Sequence, residues 1–233
     1  VKNLFYQPAI DSGVHHLDPE ESRHATKVLR KKAGDTIHVT DGKGNLYTCT
    51  ITDPRPDKCA FTIQSAEQEK KKSFRIHIAI APTKNPDRIE WFVEKAVEVG
   101  IDEISFIECD NSERTSVKLE RIEKLAISAM KQSLKFHFAK INSIRQLDDF
   151  IKTATAAEKY IAYVDQYNPD QLLRVTNPSG DYMVLIGPEG DFSPAELALA
   201  IENGFKKVAL GPSRLRTETA GLVACHILNL INL

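Results

Sequence analysis

The spacing of apolar residues changes character near residue 70. Before that point they alternate. Thr36-Ile37-His38-Val39-Thr40 reads as a strand, Asp41-Gly42-Lys43-Gly44-Asn45 as a turn, and Leu46-Tyr47-Thr48-Cys49-Thr50-Ile51 as the returning strand of a hairpin. Asp53-Pro54-Arg55-Pro56-Asp57 interrupts, and Cys59-Ala60-Phe61-Thr62-Ile63 is a third strand. One short helix is expected over 20–31. These elements predict a small, barrel-like β unit.

The segment Ala66–Ser73 is polar and aperiodic and contains Lys70-Lys71-Lys72, so a linker is expected there, with domains over 1–72 and 73–233. Strands then alternate with helices. Ile76–Ala81 is a strand. Ile89, Phe92, Val93, Ala96 and Val97 form one stripe of a helix over 88–99, stopped by Gly100. Ile104–Ile107 is a strand and 117–132 a helix, followed by strands over Tyr160–Val164 and Tyr182–Ile186. Ser193, Pro194 and Glu196 form a capping box that opens a helix ending at Asn203-Gly204. Lys207–Leu210 is the last strand and 218–230 the last helix. This alternation predicts an α/β domain with a mostly parallel sheet and helices on both faces.

Composition narrows the class. The 233 residues are 42% hydrophobic and 27% charged, which fits a globular chain. No apolar run is long enough for a membrane helix, so no membrane partner is expected. The opening Val1–Pro8 lacks the apolar core of a signal peptide, and it begins with Val rather than Met, so a trimmed start is expected. The net charge of −1 excludes a strongly cationic nucleic-acid glove. Charge is nevertheless uneven: residues 1–75 hold 13 Lys/Arg against 10 Asp/Glu, and the remainder 18 against 22. Residues 23–32 carry five cations and no acid, which suits either a solvated helix face or a surface that contacts phosphates. Cys49, Cys59, Cys109 and Cys225 are scattered, so they read as reduced thiols of a cytoplasmic protein, with no metal site.

Chemistry points to two loops. Gly187-Pro188-Glu189-Gly190-Asp191-Phe192 follows one buried strand, and Gly211-Pro212-Ser213-Arg214-Leu215-Arg216-Thr217-Glu218-Thr219-Ala220 follows another. Ligands of parallel sheets bind beyond the carboxyl ends of strands, where both loops fall. Either loop alone also reads as an ordinary tight turn. The two meet, on this reading, if their strands are neighbours. There is no GxGxxG, no GxxxxGK[ST] and no GxSxG, so a dinucleotide site, a P-loop and a nucleophile elbow are disfavoured.

The stretch from Leu185 to Leu228 closely resembles the C-terminal signature of the ribosomal RNA small subunit methyltransferase E family, in the SPOUT superfamily. Other motifs agree in the same order: Arg23–Arg30 through Gly34-Asp35, Lys84 with Asp87-Arg88, Glu94–Ile101, Ser112–Ser116 and Lys131-Gln132-Ser133. The likeness covers nearly the whole chain. It departs at Asp191, where the family usually has a second Gly, at Val99 in place of Leu, and at Leu134-Lys135.

The resemblance implies a trefoil-knotted SPOUT methyltransferase domain after a PUA-like β-barrel. It implies methyl transfer from S-adenosyl-L-methionine to N3 of a uridine in 16S ribosomal RNA, with the small ribosomal subunit and a second copy of the chain (a homodimer) as partners. The final helix, Leu222 to Leu230, is the candidate dimer face, and burial within one subunit suits it equally. The donor would lie against Leu185, Ile186, Gly187, Pro188, Glu189, Gly190, Leu210, Gly211, Leu215, Arg216, Thr217, Thr219 and Ala220. Arg114 and Arg216 are candidates for stabilising the uridine anion, Glu189 and Glu218 for taking its proton. Glu218 equally suits the dipole of the helix it opens, Arg114 a surface ion pair, and Arg216 a brace for the knot. Arg23, Lys27, Arg30, Lys31, Lys32 and Arg88 would contact RNA. A noncatalytic RNA-binding or ribosome-assembly module is the rival, and an α/β enzyme using Gly187–Gly190 for a nucleotide a third reading.

Overall fold

The computed structural model describes residues 3–70, 72–163 and 170–233; Lys71 of the expected linker and Val164 of an expected strand lie outside them. The chain divides into two compact units, Val1–Lys71 with Ile127–Phe138, and Lys72–Ala126 with Ala139–Leu233.

In the first unit β1 (Leu4–Tyr6) precedes α1 (Pro19–Arg23), and β2 (Thr36–Thr40), β3 (Asn45–Pro54) and β4 (Cys59–Gln68) follow. They form one sheet in the order β1-β2-β3-β4, parallel between β1 and β2 and antiparallel thereafter. The period of two puts Ile37, Val39, Cys49, Ile51, Cys59 and Phe61 on the buried face, where Phe5, Leu17 and Ala25 join them. The hairpin turn is set by Asp41, whose Oδ1 accepts from the backbone N–H of Lys43 (2.7 Å) and Asn45 (3.2 Å). The segment Ile127–Phe138 belongs with this sheet. Phe138 N donates to Gly42 O (2.7 Å), Gly44 N to Phe136 O (2.9 Å), and Lys131 pairs with Glu21.

The basic run begins in α1, capped by Asp18, and continues as a π-helical turn over His24–Val28. Arg30 ends it in the left-handed region at φ 55°. The expected helix over 20–31 therefore starts at Pro19 and stops sooner.

The second unit holds β5 (Arg75–Ile80), α2 (Pro86–Val99), β6 (Glu103–Glu108), α3 (Leu119–Gln132, whose end lies in the first unit), β7 (Lys140–Gln146) and α4 (Leu147–Lys152). Next come β8 (Glu158–Ala162), α5 (Leu172–Val175), β9 (Asp181–Ile186), α6 (Pro194–Glu202), β10 (Lys206–Val208) and α7 (Thr217–Ile231). The sheet runs β10-β8-β9-β5-β6-β7, and every pairing is parallel, as the alternation predicts. Ala79, Ala81, Met183 and Leu185 meet α4 and α6 on one face. The residues between them turn to the other face, where a Cβ on Gly221 of α7 would touch Phe92 of α2 and Ile80 of β5. The stripe predicted for α2 is the buried one, and Gly100 ends that helix at φ 118°. β7 and α4 have no counterpart among the predicted elements. β7 is an edge strand whose residues are all half-buried or exposed, so it lacks the apolar period of an inner strand.

Candidate functional site

The first loop leaves β9 and is held from three sides. Asp191 N donates to Pro188 O (3.0 Å), closing a turn in which Asp191 sits at φ 62°. Its Oδ1 accepts from Phe192 N (2.8 Å), and the Asn111 amide donates to the carbonyls of Gly190 (3.2 Å) and Asp191 (3.0 Å). The capping box of α6 fixes the exit: Ser193 Oγ accepts from Glu196 N, and Glu196 Oε2 from Ser193 N. Glu196 Oε1 accepts from Asp110 N (2.8 Å), and Ser193 Oγ donates to Asp110 Oδ2 (2.6 Å), which ties the loop to the end of β6.

The second loop leaves β10, passes Gly211 at φ 136°, and enters α7. Thr217 Oγ1 donates to Gly187 O (3.0 Å), joining the second loop to the first. Their strands are not neighbours, because β8 lies between β9 and β10. The condition read from the sequence was too strict. The second loop reaches across the end of β8, so Ala162 becomes part of the wall between the two turns.

The result is an open cavity of about 840 Å³. Ala162, Ile186 and Val208 line it at or beside the strand ends, and Leu210, Leu215 and Ala220 add further apolar lining. Gly187, Pro188, Glu189, Gly211, Arg216 and Thr217, which the resemblance sets against the donor, also line it. Leu185 does not line it, being fully buried beneath; Gly190 is absent from the lining, and Thr219 lines a neighbouring hollow. Ala162, Val208, Asp191, Pro212, Ser213 and Arg214 line it without having been proposed. Ala162 and Val208 were within reach of sequence reasoning, since they end buried parallel strands.

The four charged candidates separate. Glu189 is exposed, and its Oε1 accepts from Lys84 N (3.1 Å). Arg114 lines neither hollow; its guanidinium donates to Lys84 O (3.1 and 3.3 Å), so it supports the segment that holds Glu189. Arg216 is exposed and lines both hollows. Glu218 is buried at the second position of α7, in its first turn, with Oε1 3.9 Å from Arg88 Nε and Oε2 without a hydrogen-bond partner among the described residues.

Of the proposed RNA contacts, Arg23, Lys27, Arg30 and Lys32 are exposed, while Lys31 donates to Thr36 O (3.1 Å). Arg88 is half-buried on α2 and lines both hollows. Burial pushes the Cys49 thiol up to about 12 and raises Cys59 and Cys109, which disfavours thiolate chemistry at any of them. Among the described residues no cluster of three His, Cys, Asp or Glu could hold a metal, and no helix is long and apolar enough to cross a membrane.

A parallel sheet with two loops walling one cavity beyond its strand ends is the arrangement of an α/β ligand-binding domain. The family description "RNA methyltransferase domain" matches residues 69–229, and "RNA methyltransferase PUA domain" matches 17–64. The chain belongs to the ribosomal RNA small subunit methyltransferase E family. The member from Aquifex aeolicus is 30% identical over 97% of this chain and 98% of its own length. Among solved structures, a probable rRNA-methyltransferase from Porphyromonas gingivalis is 44% identical with a TM-score of 0.88, covering 99% of this chain and 98% of that one. A small subunit methyltransferase E from Neisseria gonorrhoeae, solved bound to S-adenosyl methionine, is 25% identical with a TM-score of 0.88, covering 100% and 98%.

Proposed function

We propose that this chain transfers a methyl group from S-adenosyl-L-methionine to N3 of a uridine in 16S ribosomal RNA. The observation that carries the reading is the convergence of two turns, about two dozen positions apart, on one cavity. The residues present suit the donor. The cavity volume of about 840 Å³ is that of a small-molecule site. Ala162, Ile186, Val208, Leu210, Leu215 and Ala220 offer an apolar bed for an adenine, and Gly187 and Gly211 let main chain approach it. Glu189 and Asp191 add carboxylates that complement a cationic sulfonium. When bound, the donor supplies an electrophilic methyl group already activated by its positive sulfur.

The chain must supply the rest. N3 of uridine is a nucleophile only once its proton leaves, so a base and a stabiliser of the uridine anion are required. Glu218 and Glu189 are the proton acceptors at hand, Arg216 and Arg88 the cations. Arg114 acts one step removed, by supporting Lys84. The exposed Arg23, Lys27, Arg30 and Lys32 would grip RNA phosphates, and the target base must leave its stack or be unpaired already. Residues 1–72 as the RNA-binding domain, 73–233 as a knotted methyltransferase domain, a homodimer and a cytoplasmic location complete the proposal.

The test is transfer of tritiated methyl from the donor to undermethylated small subunits, with the modified base identified by mass spectrometry. Label appearing as N3-methyluridine is expected. RNA binding without affinity for the donor in calorimetry would instead mean a noncatalytic module.

A further inference from the structure

Two helix ends in the first unit close in the same uncommon way. Leu134 N donates to Lys131 O (3.2 Å) and Lys135 N to Met130 O (3.0 Å), which ends α3 with Leu134 in the left-handed region at φ 55°. Lys31 N donates to Ala25 O (3.0 Å), which ends the π-helical turn with Arg30 at the same φ of 55°. Glycine suits such a position, and a residue with a large side chain is strained there. Packing does not explain the choice. Arg30 is exposed, and Leu134 is 41% exposed. Val28, two residues before Arg30, is 66% exposed among the cations of the basic run. The residues around Leu134 have structural roles. Ser133 Oγ donates to Ala129 O (2.7 Å), and Lys131 pairs with Glu21, a carboxylate only 7% exposed. Losing either partner of so buried a pair is costly, so the pair pins the end of α3 to α1, in which the basic run begins. Two exposed aliphatic tips therefore stand on two elements that one ion pair joins.

We infer that the end of α3 belongs to the RNA-binding surface of this unit, with Leu134 and Val28 as its contacts to unpaired nucleotides. The inference rests on the reading above that the basic run grips RNA phosphates. Phosphate contacts set where a strand runs, but they are blind to whether its bases are paired. An aliphatic tip supplies that discrimination. It gains by covering the apolar face of a base, and in a duplex that face is already stacked away. Charge decides the occupant. Residues 23–32 hold five cations and no acid, so this surface draws an anionic strand and repels a second copy of itself. The conformation of Leu134 then has a reason: glycine would end α3 with less strain and would leave no tip to meet a base. Leu134 is also one of the places where the chain departs from the family pattern, so this contact is a property of this chain rather than of the resemblance.

The test sets stability against binding in the full chain. Two fluorescein-labelled RNAs serve as probes in anisotropy titrations, a hairpin with an unpaired loop and a blunt duplex of the same stem. The parent should bind the hairpin more tightly than the duplex. Leu134→Gly should hold or raise Tm, because it relieves the left-handed position. It should nevertheless weaken hairpin binding by about three- to ten-fold, the value of one aliphatic tip covered, and leave duplex binding and the salt slope unchanged. Val28→Ser should act the same way. Arg30→Ala should weaken both RNAs and lower the salt slope by about one. Unchanged hairpin affinity in Leu134→Gly overturns the inference, as does an equal loss on both probes. A Tm lowered by Leu134→Gly would assign the side chain to packing, and a changed sedimentation coefficient to contact between copies; either result overturns it too. A parent that binds neither RNA sinks the reading of the basic run instead, a failure these readouts keep distinct.

Discussion

At Asp191 the main chain sits at φ 62°, a conformation that glycine enters freely and that Asp tolerates better than most residues. This explains how an acid can stand where the family resemblance leads one to expect a glycine. The carboxylate also binds the next backbone N–H, at 2.8 Å. Asp191→Val should therefore cost about 1–2 kcal/mol in thermal unfolding, and Asp191→Gly much less. A second residue-scale feature lies at the opposite ends of the strands. His77 Nε2 is 2.8 Å from Ser105 Oγ, and Asn142 donates to both Ser105 Oγ (2.9 Å) and Glu103 Oε1 (2.5 Å). Burial, helped by Arg75 and Lys140, lowers the His77 pKa to about 4 against the pull of Glu103. Burial works against the Glu103 carboxylate, but His77, the Asn142 amide and the Lys140 and Arg75 cations hold its pKa below the ordinary range. As pH falls, the unfolded chain protonates its histidine first, so stability present above pH 6.5 is lost toward pH 4. The slope from this one group is at most about 1.4 kcal/mol per pH unit. Melting His77→Gln across that window should give a flatter profile than the parent; parallel profiles would remove His77 as the cause.

On the scale of elements, α2 and α7 meet at a position where one methyl group matters. A Cβ on Gly221 would lie 2.7 Å from Phe92 Cε2 and 3.0 Å from Ile80 Cδ1. Phe92 and Ile80 are fully buried, so neither can swing aside. Alanine would gain about 1 kcal/mol of helix propensity, and overpacking a filled core costs about 1–3 kcal/mol. The packing term should win, and Gly221→Ala should lower Tm by about 2–4 °C per kcal/mol lost. Because α7 also carries Thr217, which joins the two loops, the same change should weaken donor binding. Legibility varied by element for a physical reason. The α2 stripe and the α6 cap are set by residues within one or two turns, so their sequence pattern is complete in itself. β7 is an edge strand with little to bury, so no apolar period marks it.

The whole molecule adds what no local window holds. Residues 127–138 group with the N-terminal unit, where they hydrogen-bond to Gly42 and Gly44. A fragment of residues 73–233 would strand that segment from its partners. It should melt at lower temperature than the full chain, with early proteolytic cleavage within 127–138; equal protection would show that the segment stands without them.

The order of the strands is equally non-local. The sequence by itself determined that two glycine-containing turns follow buried strands, that a capped helix leaves the first, and that the basic excess precedes residue 75. Each depends on neighbours a few positions apart, where backbone geometry and apolar period act directly. Only the tertiary structure decided that β8 separates the two strands and lends Ala162 to the wall. It alone set Arg114 behind Lys84 and left Glu218 buried beside Arg88 and Trp91. Those placements follow from which faces bury against one another over long separations, a cooperative choice that chain-local chemistry does not encode.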